Sequence, residues 1–286
     1  MQLDSIPTGT VVVGLDGSPD SEGALLWAVQ EATARHRDLT LVHAAPLPRL
    51  ADFGDSLMYY EAILRDLHDE GHRIVRLGRE AAEQLAPDLE IREVVVEGDP
   101  RDVLIDLSRR AATLVVGSRG RGPVRSLLLG SVGVAVVRHG HCPVVVHRPG
   151  SEVPGREGVV VGVDGTERSL PVLEHAFEAA SFRQQPLTVV HCRWLGPLGD
   201  SVEEQELRLA ETMAGMQEKY PDVHVVRVAL DGPPEQRLVE EASGAVLLVV
   251  GGHAGGVVSE LLTGSVATSV VEHARCAVAV VPFEGE

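Results

Sequence analysis

The strongest chemical signal in the sequence is a glycine-rich segment between residues 117 and 131. Its informative residues are glycines, serines and arginines: Gly117, Ser118, Arg119, Gly120, Arg121, Gly122, Gly130 and Ser131. Because glycine has no Cβ, these glycines are expected to adopt positive φ angles and to turn backbone N–H groups toward an anion. The chemistry that this pattern favours is the binding of a di- or triphosphate group.

Ser131 is predicted to cap the helix that follows this segment. Serine is favoured at the N-cap position, and a helix N-terminus directs N–H groups and the positive end of its dipole at an anion. Two interpretations of Arg119 and Arg121 stay open, namely contacts with phosphate oxygens and exposure to solvent. A single pair of spaced glycines would only indicate the end of a strand, but the full string favours a binding loop.

Two further polar segments follow short apolar runs near the start of the chain. Asp16-Gly17-Ser18 comes after the first run, and His43-Ala44 closes the second. Asp16 is interpreted either as a ligand for a ribose, an adenine or a metal at the phosphates, or as an Asx turn or helix cap. His43 and its counterpart His191 are interpreted as core residues of strands rather than as catalysts.

The elements that must position these segments alternate between strand and helix. In the first half of the chain, β-branched runs predict strands at about 11–15, 39–44, 91–96, 113–117 and 143–147. Amphipathic segments predict helices near 19–36, 55–86, 100–110 and 131–139. The strands are continuously apolar, which is typical of a parallel sheet covered by helices on both faces. The predicted fold class is therefore α/β, with a doubly wound five-stranded parallel sheet whose ligand crevice lies beyond the carboxyl ends of the strands.

The same pattern occurs twice, so the chain is predicted to contain two tandem domains. The sequence VVVGLDGS at 11–18 recurs as VVVGVDGT at 159–166, and the glycine-rich segment recurs within 248–266. The second repeat lacks fourteen residues between its second and third strands. A linker rich in proline, glycine and charge at 147–158 places the boundary near residue 152, which gives domains at 1–152 and 153–286.

Composition narrows the possible functions. The net charge of −17 disfavours nucleic-acid binding, because it repels a phosphate backbone. No stretch reaches the roughly 18 consecutive apolar residues of a membrane helix, and the N-terminal sequence has no basic leader, so a cytoplasmic location is expected. The three cysteines lack metal-ligand spacing and are interpreted as small buried residues, and no metal ligands are predicted.

Twice over, and across essentially its whole length, the chain resembles the universal stress protein family. The nucleotide signature of that family, G-x2-G-x9-G-[ST], is matched by Gly117, Gly120, Gly130 and Ser131. The strand-one aspartate of the family is matched by Asp16. The arrangement is similar to the tandem, two-domain type of actinobacteria, which binds ATP and responds to growth-limiting stress.

The resemblance implies an adenine nucleotide alpha hydrolase-like fold, with strand order 3-2-1-4-5, that binds ATP. It implies that adenine lies near Gly14, Asp16 and Ala44. The residues implied to contact the ribose and phosphates are 117–122, Gly130, Ser131 and Val132.

The second repeat retains most of these positions. Its implied nucleotide-binding residues are Gly162, Asp164, Cys192, Gly251, Gly252, His253, Gly264, Ser265 and Val266. Ala254 stands where the signature has its second glycine, and a methyl group at a position of positive φ costs about 1 kcal/mol. Occupancy of the second site by a nucleotide therefore stays open.

The resemblance implies a nucleotide-dependent sensor or regulator in a stress or growth-arrest response. The alternative is a slow ATP hydrolase or phosphate-transferring enzyme that uses the same site. Against this alternative, the sequence contains no G-x4-G-K-[ST] motif and no lysine near the glycine-rich segment. Whether Mg²⁺ accompanies ATP stays open. A homodimer and a regulatory protein partner are expected, and partners that are nucleic acids or membranes are not.

Overall fold

The computed structural model describes residues 6–49, 57–120, 129–149, 155, 157–193, 202–253 and 266–283. The chain forms two compact units. Apart from residues 137–139, which group with the second unit, the first unit ends at His147 and the second begins at Arg148. The predicted boundary at residue 152 falls outside the described residues and stays a prediction.

The first unit is built on a five-stranded parallel sheet. Its strands are β1 (Val11–Gly14), β2 (Leu39–Ala45), β3 (Ile91–Glu97), β4 (Thr113–Gly117) and β5 (Val144–His147). They lie in the order β3-β2-β1-β4-β5. The valines and leucines of the central strands are buried on both faces of the sheet. The predicted fold class and the predicted strand order are thus both confirmed for this unit.

The described residues of the first half of the chain form four α-helices. They are α1 (Pro19–Ala34), α2 (Leu57–Leu85), α3 (Pro100–Ser108) and α4 (Ser131–His139). Helices α1 and α2 contact each other, α1 lies on β1 and β4, and α2 lies on β2 and β3. Helix α3 contacts β1, β2 and β4. The right-handed crossovers that are general for parallel strands would place it on the face opposite α1 and α2. The connections leave the sheet in opposite directions on the two sides of the β1–β4 pair, so the ligand crevice of this fold lies at their carboxyl ends.

Local sequence explains why α1 begins directly beside this crevice. Ser18 has extended backbone angles and accepts the Ser21 N–H group through its hydroxyl, as an N-cap residue does. Pro19 is compatible with the first helical turn, where its missing N–H group has no intrahelical partner to lose. Asp20 and Glu22 place negative charge at the positive end of the helix dipole.

The second unit repeats this architecture. Its strands are β6 (Val159–Val163), β7 (Leu187–Arg193), β8 (Val225–Asp231), β9 (Leu247–His253) and β10 (Ala277–Phe283), in the order β8-β7-β6-β9-β10. Its helices are α5 (Leu170–Arg183), α6 (Val202–Lys219), α7 (Pro234–Glu241) and α8 (Val266–His273). Helix α6 has 18 residues where α2 has 29, which agrees with the predicted deletion between the second and third strands. None of the helices in the described part of the chain has the length and apolar character that crossing a bilayer requires.

Candidate functional site

The turn after β1 holds Asp16 at the edge of the crevice. Gly17 has a φ of +73°, a conformation that favours glycine, and so lets the chain turn sharply into α1. Oδ1 of Asp16 accepts the N–H group of Ser18 at 3.0 Å and its hydroxyl at 2.6 Å. Asp16 therefore forms the Asx turn that the sequence allowed, while the N-cap of α1 is Ser18.

His43 supports this turn from the neighbouring strand. Its Nδ1 atom lies 2.7 Å from the carbonyl oxygen of Leu15, which can only accept, so Nδ1 carries the proton and donates. The N–H group of Leu15 in turn donates to the carbonyl oxygen of Val42 at 2.8 Å. His43 is partly buried and orients the residue that precedes Asp16, in agreement with its interpretation as a core residue.

Asp20, in the first turn of α1, accepts hydrogen bonds from the start of the glycine-rich segment. Its Oδ2 atom accepts the hydroxyl of Ser118 at 2.8 Å and the backbone N–H group of Arg119 at 3.0 Å. Nε of Arg119 lies 3.4 Å from the same oxygen. The Arg119 side chain is 51% exposed, so it lies at the surface and pairs with Asp20 there. Sequence reasoning missed Asp20, and the available signal was an acidic residue at a helix start beside the predicted crevice.

Gly117 and Gly120 are needed for space, which corrects the expectation that these two glycines adopt positive φ angles. Neither Gly117 nor Gly120 has a φ in the positive region. A Cβ at Gly117 would lie 2.7 Å from the carbonyl carbon of Asp20, and a Cβ at Gly120 would collide with Oδ2 of Asp16. The absence of a side chain at these two positions therefore lets β4 and its loop approach the start of α1 and the Asp16 carboxylate.

Gly130, near the end of the glycine-rich segment, contacts the start of the same segment. Its N–H group donates to the carbonyl oxygen of Ser118 at 2.8 Å, and a Cβ at Gly130 would lie 3.8 Å from Cα of Arg119 and from N of Gly120. Gly130 is itself the N-cap of α4, with φ −71° and ψ 159°, and Ser131 is the first helical residue. This corrects the prediction that Ser131 is the N-cap. Gly130 supplies no side-chain acceptor for the N–H groups of the first turn, which begins beside Ser118 and Gly120.

The remaining predicted residues of the first site lie around this arrangement. Gly14 ends β1, where a Cβ would lie 3.1 Å from Cδ1 of Leu104. Ala44 is half-buried in β2 and pairs with Val96. Val132 is half-buried in the first turn of α4 and Ser131 is exposed. Arg121 and Gly122 lie outside the described residues.

His147, at the end of β5, borders the same turn from the opposite side. Its carbonyl oxygen accepts the N–H group of Ser118 at 2.9 Å, and its imidazole is buried beside Gly23 and the Trp27 ring. Burial lowers the pKa of His147, and the negative charge of Asp20 acts in the opposite direction. The imidazole is therefore held mainly in its neutral form.

The second unit retains the turn after its first strand, but the aspartate of this turn accepts an additional hydrogen bond. Gly165 has a φ of +74°, nearly the same as Gly17. Oδ1 of Asp164 accepts the Thr166 N–H group at 2.9 Å, the Thr166 hydroxyl at 2.8 Å and the Ser169 hydroxyl at 2.7 Å. Desolvation raises the pKa of Asp164, but these hydrogen bonds from Ser169 and Thr166 outweigh it and bring the pKa below its usual value. In the first unit, the hydroxyl of Ser21 donates instead to the carbonyl oxygen of Ser18, at 2.9 Å.

In the second unit, the residues that correspond to the start of the glycine-rich segment form part of a strand. Gly251, Gly252 and His253 continue β9 and pair in register with Val281, Pro282 and Phe283. A Cβ at Gly251 would lie 2.8 Å from the Phe283 ring, and a Cβ at Gly252 would lie 2.5 Å from Cγ1 of Val280. Packing of the strand therefore accounts for these two glycines.

The other predicted residues of the second site are placed as follows. A Cβ at Gly162 would lie 2.8 Å from Leu238. Cys192 is half-buried in β7, where desolvation raises the pKa of its thiol, the Arg237 charge lowers it and the Glu235 charge raises it. Val266 begins α8. Gly264 and Ser265 lie outside the described residues.

These features define a class of protein: tandem doubly wound α/β domains with a glycine-rich loop at the β1–β4 crevice. The model of the universal stress protein family matches residues 7–148 and 156–282. The chain belongs to the universal stress protein family.

Relatives of similar length share this organisation. The chain is 36% identical over 293 residues to the universal stress protein Rv2005c of Mycobacterium tuberculosis, covering 94% of this chain and 96% of that one. It is 35% identical to the universal stress protein Rv2623 of the same organism, covering 94% and 95%. The crystal structure of a universal stress protein from Archaeoglobus fulgidus superimposes with a TM-score of 0.73 and 18% identity, covering 97% of this chain and 99% of that one. The last similarity supports the fold.

Proposed function

We propose that the first unit binds ATP at the carboxyl ends of β1 and β4, and that the bound nucleotide makes the chain a sensor or regulator in a stress or growth-arrest response. The observation that carries this proposal is the meeting of Asp16, Ser118, Gly120 and Gly130 within hydrogen-bond or contact distance. These residues come from three separate segments of the chain and include two positions of the family signature, Gly120 and Gly130, together with the strand-one aspartate.

The chemistry of this arrangement suits the phosphate groups of a nucleotide. Helix α4 begins at Ser131 without a side-chain cap, so its positive dipole end favours an anion beside Gly130. Close approach of a phosphate to the backbone requires that Gly120 and Gly130 carry no side chain. The phosphates and ribose are therefore assigned to residues 117–122, Gly130, Ser131 and Val132.

The adenine part of the ligand is assigned to the ends of β1 and β2. Gly14 and Ala44 present little side-chain bulk at these ends, and the Asp16 carboxylate can accept hydrogen bonds from a ribose or an adenine amino group. If Mg²⁺ accompanies ATP, the phosphate oxygens supply part of its coordination, as is common for this ion. The second unit could bind a further nucleotide only with a different loop start, because Gly251–His253 remain in β9.

A regulator is favoured over an efficient hydrolase by the placement of positive charge. Lys219 is the only lysine in the chain, and its ammonium group pairs with Glu174 on the second unit, at 2.5 Å. It therefore does not serve as the lysine that many phosphate-transferring sites place against the phosphates of ATP. The proposal includes a homodimer and a regulatory protein partner whose affinity depends on the nucleotide.

The test begins with protein purified from cells. Bound ligand is released by heat and identified by mass spectrometry, and added ATP is then followed over several hours. We expect adenine nucleotide to be released and added ATP to persist. Rapid steady turnover that is lost in Gly120→Asp would favour the enzyme alternative, and no binding of ATP at micromolar protein would exclude the proposal. Light scattering is expected to give about twice the chain mass of 30.5 kDa.

A further inference from the structure

Ser118 is the residue at which the glycine-rich segment is fixed, and it is held from three directions. Its N–H group donates to the carbonyl oxygen of His147 at 2.9 Å, and its own carbonyl oxygen accepts the N–H group of Gly130 at 2.8 Å. Its hydroxyl donates to Oδ2 of Asp20 at 2.8 Å. The first two contacts use the backbone of the partner residues, so Asp20 is the one partner of Ser118 in this set whose contact a substitution can remove.

Asp20 also determines where Arg119 lies. The same carboxylate oxygen accepts the backbone N–H group of Arg119 and lies 3.4 Å from its Nε atom. The Asp20 side chain is only 13% exposed, which reduces competition from water for these bonds. Hydrogen bonds to a charged acceptor are stronger than bonds between neutral groups. Asp20 thus fixes both the backbone and the side chain of the residue that precedes Gly120.

The second unit lacks all three side chains of this contact. By the repeat alignment, Arg168 stands in the position of Asp20, Gly252 in that of Ser118 and His253 in that of Arg119. In the second unit the chain does not leave the sheet at this point, and β9 continues through His253. The presence of the Asp20 contact and the departure of the chain from the strand therefore occur together in one unit and are both absent from the other.

We propose that Asp20 is a positioning residue for the phosphate groups of the nucleotide, acting through Ser118 and Arg119 without touching the ligand. This inference rests on the proposed function. Because the contact orders the start of the loop before the ligand arrives, its loss adds an ordering cost to phosphate binding. The ends of β1 and β2, to which the adenine part is assigned, are not ordered by this contact. Removal of Asp20 should therefore weaken the binding of ATP far more than the binding of adenosine.

The experiment compares Asp20→Ala, Asp20→Asn and the unmodified chain by calorimetric titration with ATP and with adenosine. Asp20→Ala should bind ATP roughly 10-fold to 100-fold more weakly, since it removes two or three bonds to a charged acceptor. Its affinity for adenosine should stay within about twofold. Asp20→Asn retains an oxygen that accepts from Ser118 and Arg119, so it should restore ATP binding to within about fivefold of the unmodified chain.

Asp99→Ala is the matched control. Asp99 caps α3 and accepts both the N–H group and Nε of Arg101, each at 2.9 Å, so it repeats the chemistry of Asp20 outside the glycine-rich segment. This variant should lose stability without a selective loss of ATP binding. Amide hydrogen exchange supplies a readout that needs no nucleotide, because the Arg119 amide should exchange faster in Asp20→Ala than in the unmodified chain.

The outcomes separate this inference from the proposed function. If the unmodified chain binds ATP and Asp20→Ala binds it equally well, or loses ATP and adenosine in the same proportion, Asp20 is not a positioning residue and the proposed function stands. If the unmodified chain does not bind ATP, both fail. An unchanged exchange rate of the Arg119 amide would also overturn the inference, whatever the nucleotide data.

Discussion

The two units share a fold and a turn after their first strand, yet the aspartate of that turn has a different environment in each. Oδ1 of Asp164 accepts three hydrogen bonds, including one from Ser169, whereas the hydroxyl of Ser21 in the first unit donates to a backbone carbonyl. Oδ2 of Asp16 instead faces Gly120 so closely that a Cβ there would collide with it. Both aspartates thus stabilise the turn that leads into the following helix, and Asp16 in addition borders the glycine loop.

The difference continues at the end of the fourth strand of each sheet. In the first unit β4 ends at Gly117, and the chain turns toward Asp20 and Gly130. In the second unit β9 retains its pairing with β10 for two residues beyond the counterpart of Gly117, namely Gly252 and His253. Glycines in similar sequence contexts therefore serve loop approach in one case and strand packing in the other. The comparison teaches that the chain leaves the sheet after Gly117 in the first unit but remains in the sheet through His253 in the second.

Replacing the two aspartates separately should give a large contrast between the units. Asp16→Ala should lower ATP affinity about 10-fold or more, because it removes the carboxylate assigned to the adenosine and loosens the turn beside Gly120. Asp164→Ala should leave that affinity within about twofold but lower the free energy of unfolding by about 1 kcal/mol, as loss of a helix-start acceptor does. Calorimetric titration and urea denaturation measure the two effects, and equal losses of ATP affinity would remove the distinction between the units.

A smaller contrast between the two units is expected in the pH dependence of stability. His147 is buried in the first unit, whereas Val281 holds the equivalent position in the second. Because burial lowers the pKa of His147 below its usual 6.5, the unfolded chain binds a proton more readily than the folded chain. The free energy of unfolding should therefore fall as the pH decreases below about 6.5.

His147→Val isolates this contribution from that of the other histidines. The decrease in stability between pH 7.5 and pH 5.5, measured by thermal unfolding, should be smaller in His147→Val than in the unmodified chain. An identical pH dependence in the two proteins would show that the buried imidazole of His147 does not contribute to the loss of stability at low pH.

The smallest expected effect is a difference in alkylation rate between the thiols of Cys142 and Cys192. Burial raises the pKa of Cys142 to about 12, so this thiol should remain unmodified by iodoacetamide at pH 8. Cys192 is half-buried and should be alkylated faster, as mass mapping of the peptides would show. We expect ATP not to change that rate. Protection of Cys192 by ATP would indicate a nucleotide in the second unit and would weaken the contrast between the two.

Much of the fold was predictable because its determinants are local. Continuous runs of valine and leucine marked the buried parallel strands, and Gly17 and Gly165 marked the turns that follow β1 and β6. Because the sequence repeats, the strand order of the second sheet could be inferred from the strand order of the first. The approach of Gly130 to the start of the glycine-rich segment was also predictable, since both belong to one signature.

Long-range contacts were not predictable in the same way. Asp20 and Ser118 are 98 positions apart, and an acidic residue in the first turn of a helix is common for reasons of the helix dipole alone. Gly117 and Gly120 were expected to be needed for their backbone angles, but the close neighbours that exclude a Cβ belong to distant segments. The continuation of β9 depends on packing against Phe283 and Val280, which the glycine pattern does not reveal.

The central claim, that ATP binds to the first unit, is tested most directly by titrating ATP into the unmodified chain, Gly120→Asp and Ala254→Asp. We predict a single ATP per chain, roughly 100-fold or greater loss in Gly120→Asp, and little change in Ala254→Asp. A carboxylate at Gly120 would face both Asp16 and the phosphates, and like charges about 4 Å apart near a protein surface cost up to about 4 kcal/mol. Loss of ATP binding in Ala254→Asp with retention in Gly120→Asp would contradict the account.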